Sequence, residues 1–391
     1  MDQMVVHTGG TTEWSGAGTV HLVQTPAGVW YLLGLNSQPA VVFKKSTDYG
    51  LTWSFPTTVG GLNNPTALAV WYDKWSGLAG GLIHFAYAES GNDDIRYRTI
   101  NTESSDALST ETTVFAGAST LAGGSLSITR ALGGNVYVNG VIDAGTEGGF
   151  FRLPNANVPN GAWDAARTSP EALATLDQVY LVPGFAADNQ DIMAMFWDAD
   201  ANEVSRYIYD DSANTWAETS IATSMSDVSA ASHFPHWNVA VDLTNSQIIL
   251  AAWSAVDTAN ADLRIWKITE SGITEMTNVV LNSTDDQGFC AITLDLQTGF
   301  WWVFYGGKSD GSQVFSTVNI YCKVSTDGGT TWGAETQFNV TLDNVKSLIA
   351  CPRLYLGFPV VRIWRSLASD FIFIAAWYGV PLPARSFLGA P

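Results

Sequence analysis

"STDYGLTW", Ser46 to Trp53, returns near the far end of the chain as "STDGGTTW", Ser325 to Trp332, and this repetition decides the fold. A third copy, "YDDSANTW", keeps Asp211, Thr215 and Trp216 of the pattern, and a fainter one, "NVPNGAW", ends on Trp163. The four tryptophans stand 110, 53 and 116 positions apart, twice, once and twice a unit of about 55 to 58 residues, a period of the kind radial repeats show. The copies missing from this series fall near 108 and 274. There "RYRTINTESSDALSTETTVF" and "RIWKITESGITEMTNVV" each read as strand, polar turn and strand.

The same order recurs within each unit: an apolar strand, a short turn, a second apolar strand, a polar loop, then the hairpin that carries the octapeptide. "TVHLVQTPAGVWYLLG" parallels "FCAITLDLQTGFWWVFYG", and "LIHFAYA", "NVYVNGV", "DIMAMFW" and "IILAAWS" are further second strands. Four antiparallel strands repeated radially predict an all-β fold, a β-propeller of four-stranded blades forming a single domain over residues 1–391. Five intervals between Trp53 and Trp332 span 279 residues, about 56 per blade, and the whole chain is close to seven such units. Residues 1–18 and 345–391 hold the remaining strand candidates, "MVVHT", "LIACPRLYL" and "DFIFIAAWYGV". We expect the two chain ends to share a seventh, closing blade, which would tie down both termini and remove sheet edges. The alternative is six blades with a β extension.

Composition sets the function classes. The chain is 46% hydrophobic and 12% aromatic with 16 Trp, which excludes disorder, while its charged fraction is only 14%. A net charge of -19 repels phosphate backbones and anionic lipid, so neither nucleic acid nor a membrane is an expected partner, and no apolar run has transmembrane length. "MDQMVVHTGG" has Asp2 where a signal peptide carries positive charge, so no signal peptide is expected. Cys290, Cys322 and Cys351 are an odd number without CxxC spacing and read as buried free thiols.

Every residue type in the octapeptide has a local task. Asp48 can accept amide hydrogen bonds of its own turn, Gly50 supplies a positive φ, Ser46 and Thr52 add hydroxyl bonds, and Trp53 packs back over the strands. The pattern Ser-x-Asp-x-Gly-x-Thr-Trp resembles the Asp-box, or bacterial neuraminidase repeat, of sialidases and many other propellers. The resemblance implies a scaffold role at the blade periphery for Ser46, Asp48, Gly50, Thr52, Trp53, Asp211, Thr215, Trp216, Ser325, Asp327, Gly329, Thr331 and Trp332.

Sialidases of that family hold the substrate carboxylate with three arginines and use a Tyr/Glu pair with an Asp acid/base, the first arginine lying in a Phe/Tyr-Arg-Ile/Leu-Pro motif before the first box. Here "FRLP", Phe151 to Pro154, follows the first box, and no arginine precedes Ser46. Arg152 therefore reads as a peripheral strand residue. Arg130, Arg353, Arg362 and Arg365 remain for a central site, the last three in one segment rather than on three blades. In "SHFPHW", His233, His236 and Trp237 lie before an inner strand, where two imidazoles and an indole could stack on and hydrogen-bond a sugar. "WDADANE", Trp197 to Glu203, has the oxygen alternation of a calcium loop without its Gly and distal Glu. No cofactor is expected, Ca2+ being the one ion the pattern suggests.

The reading is a non-catalytic Asp-box propeller, structural or glycan-binding, with Arg130, Arg353, His233, His236 and Trp237 as ligand-binding candidates and no catalytic residue assigned. An exo-sialidase or related glycoside hydrolase is the alternative. A polar, Trp-rich, Lys-poor surface without a signal peptide suggests an extracellular or virion-surface location, as for a bacteriophage virion protein. Its partners would be glycans or other virion or surface proteins.

Overall fold

The computed structural model describes residues 2–7, 20–35, 40–50, 52–61, 63–90, 94–117, 126–143, 147–170, 177–185, 188–198, 201–225, 237–257, 260–283, 290–306, 320–337, 345–356, 361–366 and 371–376. These residues form a β-propeller whose only helical elements are two 3-10 turns, Asp73–Ser76 and Asn155–Asn157. No helix among them is long and apolar enough to cross a membrane.

Six blades follow one another along the chain, each beginning with its inner strand. Blade 1 is Val20–Gln24, Trp30–Leu35, Val41–Ser46 and Thr57–Gly60, in that order and antiparallel throughout. Blade 2 is Pro65–Tyr72, Leu82–Glu89, Asp94–Asn101 and Thr112–Ala116. Blade 3 has three strands, Ser127–Arg130, Val136–Asp143 and Glu147–Leu153, and a single bridge from Phe150 to Arg167 stands where a fourth would be. Blade 4 is Gln178–Pro183, Ile192–Asp198, Glu203–Asp210 and Thr215–Thr223; blade 5 is Trp237–Asp242, Gln247–Asp257, Asn260–Ile268 and Ile273–Glu275. Blade 6 is Cys290–Asp295, Trp301–Gly306, Ile320–Ser325 and the short Thr336–Gln337.

The short strands Ala107–Leu108, Val280–Ser283 and Arg353–Leu354 add to blades 2, 5 and 6. One further sheet is formed by Val345–Ala350, Val361–Ser366, Phe371–Ala376 and Asp2–His7, in which the N-terminal strand pairs antiparallel with Phe371–Ala376. Its strand Val345–Ala350 touches Cys290–Asp295 of blade 6 on one side and Val20–Gln24 of blade 1 on the other. The two blade counts considered for the sequence name these same strands, as closing blade or as extension to six.

Burial explains why the strands read as continuous apolar runs. Trp30–Leu35 and Trp237–Asp242 are buried at every position, because a blade has neighbours on both faces, whereas outer Thr215–Thr223 is mostly exposed. Each large aliphatic or Phe side chain so buried contributes about 1.5–3 kcal/mol. Cys290, Cys322 and Cys351 are buried free thiols.

Candidate functional site

Antiparallel order fixes which turns share an end of the propeller. Connections from first to second and from third to fourth strand lie at one end of each blade, and the other connections at the opposite end. Both complete octapeptides join third to fourth strand, so they share an end with the inner hairpins of every blade.

The two octapeptides share the hydrogen bonds of their Ser, Asp, Gly and Thr positions. Ser46 Oγ donates to Asp48 Oδ1 (2.8 Å) and accepts from Gly50 N (2.8 Å), while Asp48 accepts from Thr52 N (2.8 Å) and Thr52 Oγ1 (2.5 Å). Ser325, Asp327, Gly329 and Thr331 repeat this at 2.8, 2.8, 2.9 and 2.6 Å. Gly50 and Gly329 sit at φ 86° and 85°, a region an L side chain rarely adopts. Hydrogen bonds from Thr331 and Ser325 hold the Asp327 carboxyl down to about 2.

The motif tryptophans do more than cover their own hairpin. Trp332 Nε1 donates to Thr277 O (2.8 Å), Trp216 Nε1 to Thr168 O (2.8 Å) and Trp163 Nε1 to Thr112 Oγ1 (3.2 Å), so each reaches back to the preceding blade. Trp53 instead donates to Gly50 O in its own turn (3.1 Å).

Blade 4 departs from the pattern. Asp210, not Asp211, accepts the turn bonds, from Ser212 Oγ (2.7 Å) and Ala213 N (2.8 Å), and the left-handed residue is Asn214 (φ 56°). With Tyr209 in place of Ser and Ala213 in place of Gly, the Ser–Gly bond cannot form and a different turn results. Asp211 is released to accept from Arg152 Nη1 at both carboxylate oxygens (2.9 and 2.7 Å) and from Tyr137 OH at Oδ1 (2.8 Å). The turn role expected for Asp211 is thus corrected: it latches blade 4 to blade 3.

That latch is repeated. Tyr137 and Arg152 are a cross-strand pair, as are Tyr31 and Lys45 in blade 1, whose hydroxyl (2.5 Å) and ammonium (2.9 Å) converge on Asp106 of blade 2. Arg152, the "FRLP" arginine, also bonds Asp164 Oδ2 and is only 23% exposed, less than the peripheral reading implied.

Arg130 and Arg353 lie at the octapeptide end. Arg130 bonds Asp73 Oδ1, Asn155 Oδ1 (3.1 Å) and Gly134 O (3.0 Å). Asp73 is fully buried and also accepts from His84 Nε2 (2.7 Å) and Leu82 N (3.0 Å). Since His84 Nε2 faces a carboxylate, its Nδ1 accepts from Tyr97 OH (2.7 Å), which is the neutral tautomer. Burial pushes Asp73 up, but the His84 hydrogen bond and the Arg130 charge outweigh it and hold the carboxyl near 2; burial lowers His84. Arg353 belongs to the segment Cys351–Leu356, which crosses the ring. It pairs in parallel with Leu294 and Asp295 of blade 6, donates from Nη1 to Lys74 O of blade 2 (3.2 Å), and delivers Tyr355 N to Gln24 Oε1 of blade 1 (2.7 Å). Leu243 of blade 5 reaches Gly77 of blade 2, where an added Cβ would stand 3.1 Å from its Cδ1. These contacts plug the axis at the octapeptide end.

Of the sugar-platform candidates, Trp237 is corrected: it is fully buried, donates to Gln178 Oε1 (2.6 Å), and packs edge-on against Tyr180 and Trp197. His233 and His236, with the side chains of Arg362 and Arg365, lie outside the described residues. Asp198 of the calcium-like stretch accepts Ala201 N (2.8 Å), closing its hairpin. Among the described residues no three His, Cys, Asp or Glu side chains gather as a metal site.

Two Tyr–Glu pairs escaped sequence reading, Tyr87 with Glu111 and Tyr305 with Glu335 (2.6 Å). Burial, then the adjoining glutamate, pushes both phenols far up, opposite to what a tyrosine nucleophile requires.

No family model and no curated protein matches the sequence. Solved structures do. The chain is similar to Kuenenia stuttgartiensis hydrazine synthase (10% identity, 95% of this chain and 98% of that one, TM-score 0.55). It is similar to a polysaccharide lyase of family PL25, an ulvan lyase (12%, 96% and 96%, TM-score 0.56). It is also similar to the Hadza microbial sialidase Hz136 (12%, 96% and 68%, TM-score 0.50). At these identities the likeness establishes the β-propeller fold alone, on which the named proteins carry different chemistries.

Proposed function

We propose that the chain is a non-catalytic propeller module of the Asp-box type, structural or glycan-binding, presented on a virion or cell surface. The observation that carries this reading is the engagement of the octapeptide aspartates, Arg130 and Arg152 in internal hydrogen bonds and ion pairs. A carboxylate clamp needs free guanidinium forks converging on a substrate. Ligand contact is proposed for the end opposite the octapeptides, because the axis is plugged at theirs, and His233 and His236 stay the ligand-contact candidates read from the sequence. Names of similar structures lend support to a glycan: one is a sialidase, and an ulvan lyase was solved with -[GlcA(1-4)Rha3S]- bound.

A shallow site of this kind would gain affinity from many copies on one particle, where linkage raises avidity by about 10²–10⁴. The purified protein is expected to show no turnover of an activated sialoside with or without calcium, and to bind a glycan array as a multivalent display but not as a monomer. His233→Ala with His236→Ala should abolish that binding. Turnover lost in Arg130→Ala or Arg353→Ala would overturn the non-catalytic reading, and silence of both formats on the array would leave the structural role alone.

A further inference from the structure

Among the described residues, the axial plug holds a guanidinium without an ion-pair partner. Arg353 is 8% exposed and carries five N–H donors, yet its one hydrogen bond runs from Nη1 to Lys74 O (3.2 Å). Its Nε is buried and unbonded. The guanidinium lies 5.7 Å from the centre of the Tyr355 ring, which covers one side of it without accepting its hydrogens, and Nη2 keeps some exposure. No carboxylate among the described residues stands within ion-pair distance. Asp242 attracts it from farther off, but the Asp242 oxygens are taken by Asn245 and Gln247. Arg130 is paired with Asp73, Arg152 with Asp164 and Asp211, and Arg264 with Glu275. Arg206, 6% exposed, also has no ion pair among the described residues, but it spreads its hydrogens over two acceptors, Thr269 O and Thr219 Oγ1, where Arg353 has one.

Two more donors on the same plug lack acceptors, the Tyr355 hydroxyl and Trp75 Nε1, both buried. Tyr355 and Trp75 each pack edge-on against Tyr72, at 6.4 and 6.3 Å, so the three unmatched groups border one aromatic nest. Burying a guanidinium with unmatched donors is costly, and nature offsets that cost with an anion. Water could satisfy a hydroxyl or an indole but leaves the charge uncompensated.

We infer that the axial plug is built around a small oxyanion, of carboxylate or phosphate type, held by Arg353 with Tyr355 and Trp75 at its border. The site lies on the ring axis at the octapeptide end, is enclosed by the segment Cys351–Leu356, and is independent of any ligand at the opposite end. Its role is to join blades 1, 2, 5 and 6 through one buried charge.

The test is thermal melting of the full chain in sodium formate and in sodium phosphate, with ionic strength held constant by the bulky sulfonate HEPES. A bound anion stabilises by mass action, so the melting temperature should rise saturably, on the order of 3 °C at a hundred times the dissociation constant. Response to formate alone would mark a carboxylate site, and response to phosphate a larger one. Arg353→Met should lose the rise, whereas Arg264→Met, which removes a half-buried arginine paired with Glu275 in blade 5, should keep it. Equal shifts in both variants, or no shift in the wild type, would overturn the inference. Should Arg353→Met fail to fold, wild-type crystals grown in selenate decide the matter. An anomalous peak within hydrogen-bonding distance of Arg353 supports the site, and water density there without such a peak refutes it.

Discussion

Replacing Asp73 by Asn should remove much of the protein's acid sensitivity along with a large part of its stability. Asp73 is fully buried, yet its carboxyl is held near 2 rather than 3.8 by His84 and Arg130. At 1.36 kcal/mol per unit, that depression corresponds to about 2.5 kcal/mol. The sign follows from the direction: the stabilisation is fully present above pH 4 and is lost as pH falls through about 2. His84 is also depressed, so it too contributes stability that is lost on acidification, beginning at its usual 6.5. Asp73→Asn leaves Arg130 partly buried without its carboxylate and should cost about 3–5 kcal/mol at neutral pH. His84→Gln should flatten the melting curve between pH 7 and 5 while keeping the loss between pH 4 and 2. Melting followed by tryptophan fluorescence from pH 8 to 2 separates the two windows. If the Asp73→Asn variant retained the wild-type difference between pH 4 and 2, the buried cluster would not be its source.

The octapeptide makes a more local prediction: Asp48→Ala should destabilise by about 1–2 kcal/mol through the unpaired Thr52 amide and hydroxyl, with Asp48→Asn partly restoring it and any ligand binding untouched in both; loss of binding at unchanged melting temperature would contradict the scaffold role. Deleting residues 1–7 removes the strand paired with Phe371–Ala376 and exposes a sheet edge, so cooperative destabilisation or aggregation is expected, and an unchanged melting curve would mark that strand as dispensable.

The sequence alone determined what is local and periodic. The spacing of Trp53, Trp163, Trp216 and Trp332 gave the radial repeat, and apolar runs such as "IILAAWS" gave the strands, because period and burial are properties of each blade by itself. The two complete octapeptides could be read down to individual hydrogen bonds, since every partner lies within a few residues. Pattern matching failed at Asp211, where losing Ser and Gly shifted the turn by one residue. Its new partner Arg152 is 59 positions away and unrelated to the motif. Trp237 looked like a sugar platform for the same reason: nothing in "SHFPHW" announces that Gln178 and Tyr180 of the preceding blade will enclose its indole.

Only the tertiary structure decided which arginines were engaged and which end of the ring was closed. Arg353 meets Lys74 across 279 positions, and Leu243 meets Gly77 across the axis. Such contacts arise when the ring closes and brings distant blades to one axis. Closure is a property of all the blades together, so no local pattern encodes it.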